Sequence, residues 1–165
     1  MDNIIIRLYG ENDIEDMIKI WNDVVEDGIA FPQLEKLSYE SGKEFFASQT
    51  CCGVAENTET KEMLGMYILH PNNVGRCGHI SNASYAVKKG QRGLHIGERL
   101  VNHSLEKAKE NGFRILQFNA VVKDNLPARR LYEKLGFIPL GTIPEGFLSK
   151  DGRYVDIVPH YKLIK

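Results

Sequence analysis

The stretch SYAVKKGQRGLHIGERLVNHSL, Ser84–Leu105, decides how the rest of the chain is read. Ser84–Val87 is β-prone, Lys88–Gly93 is a basic loop carrying glycines, and Ile96, Leu100, Val101, Leu105 and Ala108 recur at helical spacing. A loop that feeds a helix leaves backbone N–H groups unpaired at the helix start. Those donors, the positive end of the helix dipole and the fixed charge of Arg92 all favour an anion, and glycines let backbone approach it closely. The physical reading is a pyrophosphate cradle; an ordinary strand–loop–helix turn is the alternative. Gly90, Gly93 and Gly97 do not form G-x-G-x-x-G, and no G-K-[ST] follows, so neither dinucleotide nor P-loop fingerprints apply.

Working outward, the N-terminal side begins with a β-branched strand, Asn3–Tyr9. Asn12 or Asp13 then caps a helix whose stripe is Ile14, Met17, Ile18, Trp21, Val24 and Val25, ended by Asp27-Gly28. Ile29–Pro32 is an apolar loop, which lines a substrate pocket or seats Phe31 in the core. Tyr39–Ser48 reads as a second helix. Gly53–Glu56 and Met63–His70 form a hairpin around Asn57–Thr60, and His79–Val87 is the strand entering the cradle. On the C-terminal side, Asn111-Gly112 closes the long helix and Phe113–Val122 is a strand. Asp124 or Asn125 caps a short helix that Gly136 ends, and Phe137–Thr142 and Tyr154–Leu163 are terminal strands joined by a loop. This order predicts an α+β fold: a mixed, mostly antiparallel central sheet flanked by helices on both faces.

The chain has 165 residues, which fits a single domain spanning 1–165. A net charge of −1 gives no bulk attraction to nucleic acid or to membranes, so an anion site must be local. No apolar run approaches spanning length, and the N-terminus lacks a signal-peptide pattern. Cys51, Cys52 and Cys77 are odd in number and form no C-x-x-C, which points to free thiols in a reducing cytoplasm. Cys77 and His79 lack a second ligand pair, so no metal is expected.

Arg92-Gly93-Leu94-His95-Ile96-Gly97 resembles the acetyl-CoA loop of the GNAT N-acetyltransferases, [RQ]-x-x-G-x-[GA]. Arg92 and Gly97 match, and His95 stands where that family has its first glycine. Asn125-Leu-Pro-Ala128-Arg-Arg-Leu131-Tyr132-Glu-Lys-Leu-Gly136-Phe137 resembles the family's N-x-x-A-x-x-L-Y-x-x-x-G-F at every fixed position. The resemblance implies a GNAT-like fold and acetyl-CoA as co-substrate. It implies a cofactor site at Ala86, Val87, Arg92, Gly93, His95, Ile96, Gly97 and Asn125, with backbone N–H at Ala86–Val87 polarising the thioester. Tyr132 matches the tyrosine that serves the departing sulfur, although a tyrosine simply packed on the sheet would also sit there.

Two asparagines, Asn82 and Asn119, fall inside predicted strands, where asparagine is a poor choice. They either stitch a bulge or splay between strands or recognise substrate with their amides. Arg76–Ala83 and Phe118–Val121 resemble fungal acetyltransferases acting on azetidine-2-carboxylate. Ile20-Trp21-Asn22 and Ala30-Phe31 resemble the phosphinothricin-acetyltransferase branch. These likenesses imply a small amino-acid-like amine as acceptor, with Asn82, Asn119, Phe31 and Glu26 as candidate substrate residues. Glu26 and Asp27 are the carboxylates nearest the apolar loop, and either also reads as a solvated helix-end charge. Acetylation of a protein or peptide N-terminus, and a non-catalytic acyl-CoA-binding module, are the alternatives. A homodimer is left open.

Overall fold

The computed structural model describes residues 2–91 and 93–165. Arg92, assigned above to the cradle, lies outside them. The elements run β1 (Ile4–Leu8), α1 (Ile14–Asp27), α2 (Tyr39–Ala47), β2 (Cys51–Asn57), β3 (Met63–Pro71), β4 (Ile80–Val87), α3 (Ile96–Glu110), β5 (Ile115–Phe118), α4 (Leu126–Lys134), β6 (Ile138–Pro139), β7 (Ile143–Leu148), β8 (Tyr154–Ile157) and β9 (His160–Leu163). Seven strands form one sheet in the order β1-β2-β3-β4-β5-β9-β6, and β7 and β8 form a second, two-stranded sheet. Within the large sheet β4 and β5 pair in parallel and the other pairs are antiparallel.

Each face of the sheet has its own apolar cluster. On one face α1 contributes Met17 and Trp21, both with no exposed surface, against Val54, Met66 and Ala86. On the other α3 contributes Leu100, Val101 and Ala108 against Leu64, Leu69 and Leu116. The period of two along β4 divides its side chains between these faces: Ala86 joins the α1 cluster, and Ala83, Tyr85 and Val87 join the α3 cluster. Polar groups are satisfied beneath α3 as well. The Tyr67 hydroxyl meets His103 Nδ1 at 2.8 Å, and Tyr85 meets Ser104 Oγ at 2.7 Å.

Three departures from the sequence reading have physical causes. The strand expected over Phe113–Val122 ends at Phe118, because Asn119 turns its amide to Asn72 Oδ1 at 2.6 Å and the chain leaves β4. β7 was expected as loop. Pro144, Gly146 and a positive φ of 55° at Glu145 interrupt its alternation, and its pairing with β8 shifts register between Ile143 and Phe147. The terminal strand expected over Tyr154–Leu163 divides at Val158-Pro159 into β8 and β9, which belong to different sheets.

The ends of α1 and α3 set the site. Gly28 closes α1 with φ 62°, and a Cβ there would lie 2.6 Å from Lys150 Cβ. The β7–β8 turn docks onto this helix end: Lys150 N–H donates to Gly28 O at 3.0 Å, and its ammonium donates to Glu26 O at 2.7 Å. His95 precedes α3 in the left-handed region, φ 54° and ψ 34°, without a side-chain cap.

Two expectations follow. The His95 side chain is largely exposed, so replacing it tests backbone strain with little loss of packing. His95→Gly leaves stability equal or raised, while His95→Val, β-branched in that conformation, lowers it by about 1–2 kcal/mol. Equal denaturation midpoints for the histidine and valine forms would contradict this. Burial also holds His103 and His160 below the ordinary imidazole value. They bind fewer protons folded than unfolded, so their contribution is present above about pH 6.5 and is lost as the pH falls below it. Urea unfolding from about pH 7.5 to about pH 5 should show that loss, and His103→Gln should reduce it.

Candidate active site

β4 and β5 stay paired only through Ile80↔Ile115, Ser81↔Leu116 and Asn82↔Gln117, and then part. The point of parting is pinned by side chains. Asn82 Nδ2 donates to Gln117 O at 2.8 Å, and Ser81 Oγ donates to Ile115 O at 2.7 Å. Beyond it β4 runs on to Val87 while remaining paired to β3. The bonds Asn72 N→Ile80 O and Lys88 N→Leu64 O fix the phase of that ladder. Even-numbered β4 residues therefore spend their backbone groups on β3, and the N–H groups of Tyr85 and Val87 point into the gap left by β5. Of the two sequence candidates, Val87 presents its N–H to the gap, whereas Ala86 turns its own to Met66.

A cavity of ≈ 300 Å³ occupies the gap and opens to both faces of the sheet. On the α3 and α4 side it is lined by Tyr85, Val87, Gly97 and Tyr132, and on the α1 side by Ala30, Phe31, Asn82 and Asn119. Tyr132 is brought there by α4. Asn125 starts that helix by accepting from Ala128 N–H at 3.3 Å, Pro127 fits its first turn, and Asn125 itself lines the cavity. The Tyr132 ring packs 4.4 Å from Phe118 and 5.9 Å from His160. Burial pushes its phenol up to about 12, so it stays protonated across the physiological range. Its hydroxyl has no hydrogen-bond partner among the described residues.

The cradle follows β4. Gly93 has φ 74°, with open space where a side chain would be. Ile96 anchors α3 with its side chain in the core, which leaves its backbone N–H and that of Gly97 among the unpaired donors of the first turn. Glu98 in that turn is held below the ordinary carboxylate range, chiefly by the hydrogen bond from Lys134 at 2.8 Å. A carboxylate already paired in this way opposes an incoming anion less than a free one.

The four acceptor-side candidates are not equivalent. Phe31 is buried, with its ring 4.4 Å from Trp21, and it faces the gap cavity. Asn82 and Asn119 line that same cavity. Asn82 has committed its amide N–H to the strands, whereas Asn119 is exposed and joined to Asn72 and Gln117. Glu26 lines a neighbouring, outer cavity and is ion-paired to Lys36 at 3.2 Å. Ser84 and Tyr85 also line the gap and were missed. The β4 alternation puts Ser84 on the face of Asn82 and could have found it; Tyr85 lies on the opposite face.

Comparison with known proteins agrees with this geometry. The acetyltransferase (GNAT) family profile matches residues 15–137. The chain is 30% identical over 151 residues to N-acetyltransferase aca1 of Schizosaccharomyces pombe, spanning 82% of this chain and 72% of that protein. A GCN5-related N-acetyltransferase from Kribbella flavida matches with TM-score 0.89 at 27% identity, over 98% of each chain. A phosphinothricin acetyltransferase from Sinorhizobium meliloti, determined in complex with AcCoA, shares the fold with TM-score 0.89 at 18% identity, over 98% of this chain and 89% of that one. Two sequence motifs, a sheet parted between β4 and β5, and relatives matched along most of their length make this chain a member of the GNAT acetyltransferase family.

Proposed function

We propose that this protein transfers the acetyl group of acetyl-CoA to the amine of a small, amino-acid-like acceptor by direct attack on the thioester. The observation that carries the reading is the cavity crossing the parted sheet, with Val87 and Tyr132 on one side and Asn82, Asn119 and Phe31 on the other. The S. meliloti relative was determined with AcCoA, and the glycine-bearing loop and open α3 N-terminus suit a pyrophosphate. In this reading Gly93, His95, Ile96, Gly97 and Asn125 hold the cofactor, together with Arg92 by its motif position.

The chemistry follows from what faces the gap. The neutral amine attacks the carbonyl carbon, and the oxygen that gains charge is met by the Val87 N–H. As the carbon–sulfur bond breaks, the Tyr132 hydroxyl gives its proton to the departing thiolate. No carboxylate lines the cavity among the described residues, so the proton lost by the amine leaves through water. The roof formed by Ala30 and Phe31 favours a compact acceptor over an extended polypeptide N-terminus. The free thiols Cys51, Cys52 and Cys77 suit a reducing cytoplasm.

Tyr132→Phe should lower kcat by roughly 100- to 10,000-fold, with little change in acetyl-CoA affinity. Because its phenol is pushed up to about 12, the wild-type kcat should show no alkaline loss attributable to this group below about pH 11. Thiol release from acetyl-CoA over an amine panel provides the assay. An unchanged kcat in the phenylalanine variant, where chemistry limits the rate, would remove Tyr132 from the step.

The two asparagines should separate. Asn82→Ala removes the bond at the point of parting and should cost about 1–2 kcal/mol of stability along with activity. Asn119→Ala should stay within about 1 kcal/mol of wild type and raise KM for the amine. Denaturation curves run beside steady-state assays decide this. An Asn119 variant that loses activity only in proportion to its folded fraction would assign Asn119 to structure alone.

A further inference from the structure

A second phenol faces the gap beside that of Tyr132. Tyr85, on β4, lines the cavity from the same side of the sheet. The Phe118 ring lies against both, with centroids 5.6 Å from Tyr85 and 4.4 Å from Tyr132. The Tyr85 hydroxyl meets Ser104 Oγ at 2.7 Å, and Ser104 gives its own proton to Val101 O at 2.7 Å. A serine has one proton to give, so Tyr85 is the donor in the first of these bonds. Burial first, and the neighbouring Tyr132 after it, raise the Tyr85 phenol well above its ordinary value against the opposing pull of the Ser104 bond, so Tyr85 keeps its proton. Tyr67, whose ring lies 6.0 Å from Tyr85, is engaged by His103 at 2.8 Å and does not line the gap.

The acid step needs such a neighbour. The Tyr132 phenol is pushed up to about 12, whereas an ordinary thiol titrates near about 8.5. Passing its proton to the departing thiolate is therefore uphill unless the phenolate left behind is stabilised. Among the described residues no lysine, arginine or histidine lines the gap to do this. Asn125 is tied to the α4 cap, about two turns from Tyr132. The hydroxyls there besides that of Tyr132 belong to Ser84, which shares the Asn82 face, and to Tyr85. We propose that Tyr85 is a positioning residue for the acid step: its hydroxyl turns from Ser104 to the Tyr132 oxygen, directly or through one water, as Tyr132 gives its proton to the sulfur. The proposal rests on the acetyl-transfer reading above and deepens it. No further proton changes owner in this turn. The Tyr132 proton goes to the sulfur, the Tyr85 proton stays on its own oxygen, and the proton released by the amine returns to Tyr132 through water. Ser104 loses only a bond that it accepts, since its own proton stays on Val101 O.

The experiment uses the full chain and single-turnover thiol release from acetyl-CoA, with the amine of the panel above that is turned over fastest. Tyr85→Phe should slow the chemical step about 10- to 100-fold, the worth of a hydrogen bond to a charged oxygen. Acetyl-CoA affinity should stay within about twofold, because the phenol acts on Tyr132 and not on the bound cofactor. Ser104→Ala removes the same Tyr85–Ser104 bond from its other end and leaves the phenol in place. It should lower the melting temperature much as Tyr85→Phe does, yet keep the rate within about threefold of wild type. In a Tyr132→Phe background, Tyr85→Phe should cause no further loss, since its effect runs through the missing hydroxyl. Thermal melts identify any variant that fails to fold. Equal rate losses in Tyr85→Phe and Ser104→Ala would mean that the bond only holds the core, and would overturn the proposal. So would a Tyr85→Phe rate within about threefold of wild type, or the same Tyr85 loss with and without the Tyr132 hydroxyl. In each of these cases a slow Tyr132→Phe enzyme leaves the acetyl-transfer reading standing. An unchanged rate in Tyr132→Phe alone would instead fail the acid step of that reading, and the role of Tyr85 with it.

Discussion

The candidate site depends on the parting of β4 from β5. A strand inside a sheet normally satisfies its backbone on both sides, and a buried N–H without a partner is costly. Here β4 keeps β3 on one side and loses β5 on the other after Asn82. The parting is held by side-chain hydrogen bonds from Asn82 and Ser81 to main-chain carbonyls of β5. That is why a polar amide in mid-strand is compatible with stability: it supplies the last bond before the strands separate. The donors released farther along, at Tyr85 and Val87, join the side chains of Asn82, Ser84, Asn119 and Asn125 as the polar part of a cleft whose other walls are aromatic and aliphatic.

The same parting gives the sheet two working faces joined by one cavity. α3 and α4 approach from one side, where a Cβ at Gly97 would sit in ordinary contact with Leu131 at 3.5 Å. α4 sets Tyr132 against Phe118, and Phe118 stacks on Phe137 at 4.7 Å. These contacts restrict the phenol to one edge of the gap. α1 and its following loop approach from the other side, where Trp21 backs Phe31. Tyr132 and Phe31 are thus supported by separate apolar clusters, so the two sides of the gap rest on different packing.

The sequence was most informative where local rules dominate. Caps, terminal glycines and apolar stripes located α1, α3 and α4, and Asn125 sits at the cap its position implied. Placement on the strands before and after α3 was enough to give Asn82 and Asn119 a common cavity. It was silent on which β4 residues turn their N–H groups into the gap, because that depends on the phase of pairing with β3, a long-range property. Hence Ala86 and Val87 could not be told apart in advance. β7 was hidden because Pro144 and Gly146 are turn formers, and tertiary pairing with β8 overrode them. The ion pair that engages Glu26 comes from Lys36, beyond the loop, and no spacing rule foretells it.

The end of α1 shows how a locally unfavourable choice can be made useful. Glu26 and Asp27 sit at the negative end of the helix dipole, with no basic residue in the last turn. Three lysines from elsewhere in the chain answer that charge: Lys36 on Glu26, Lys89 on Asp27 at 3.1 Å, and Lys150 on the Glu26 carbonyl. Exposed pairs of this kind add little stability individually. Their effect is positional. Lys89 belongs to the loop leading into the cradle, Lys36 to the segment after the apolar loop, and Lys150 to the β7–β8 turn. A helix end with uncompensated negative charge is therefore the common anchor of three segments distant in sequence. A helix end with a compensated dipole would have left them without that common anchor.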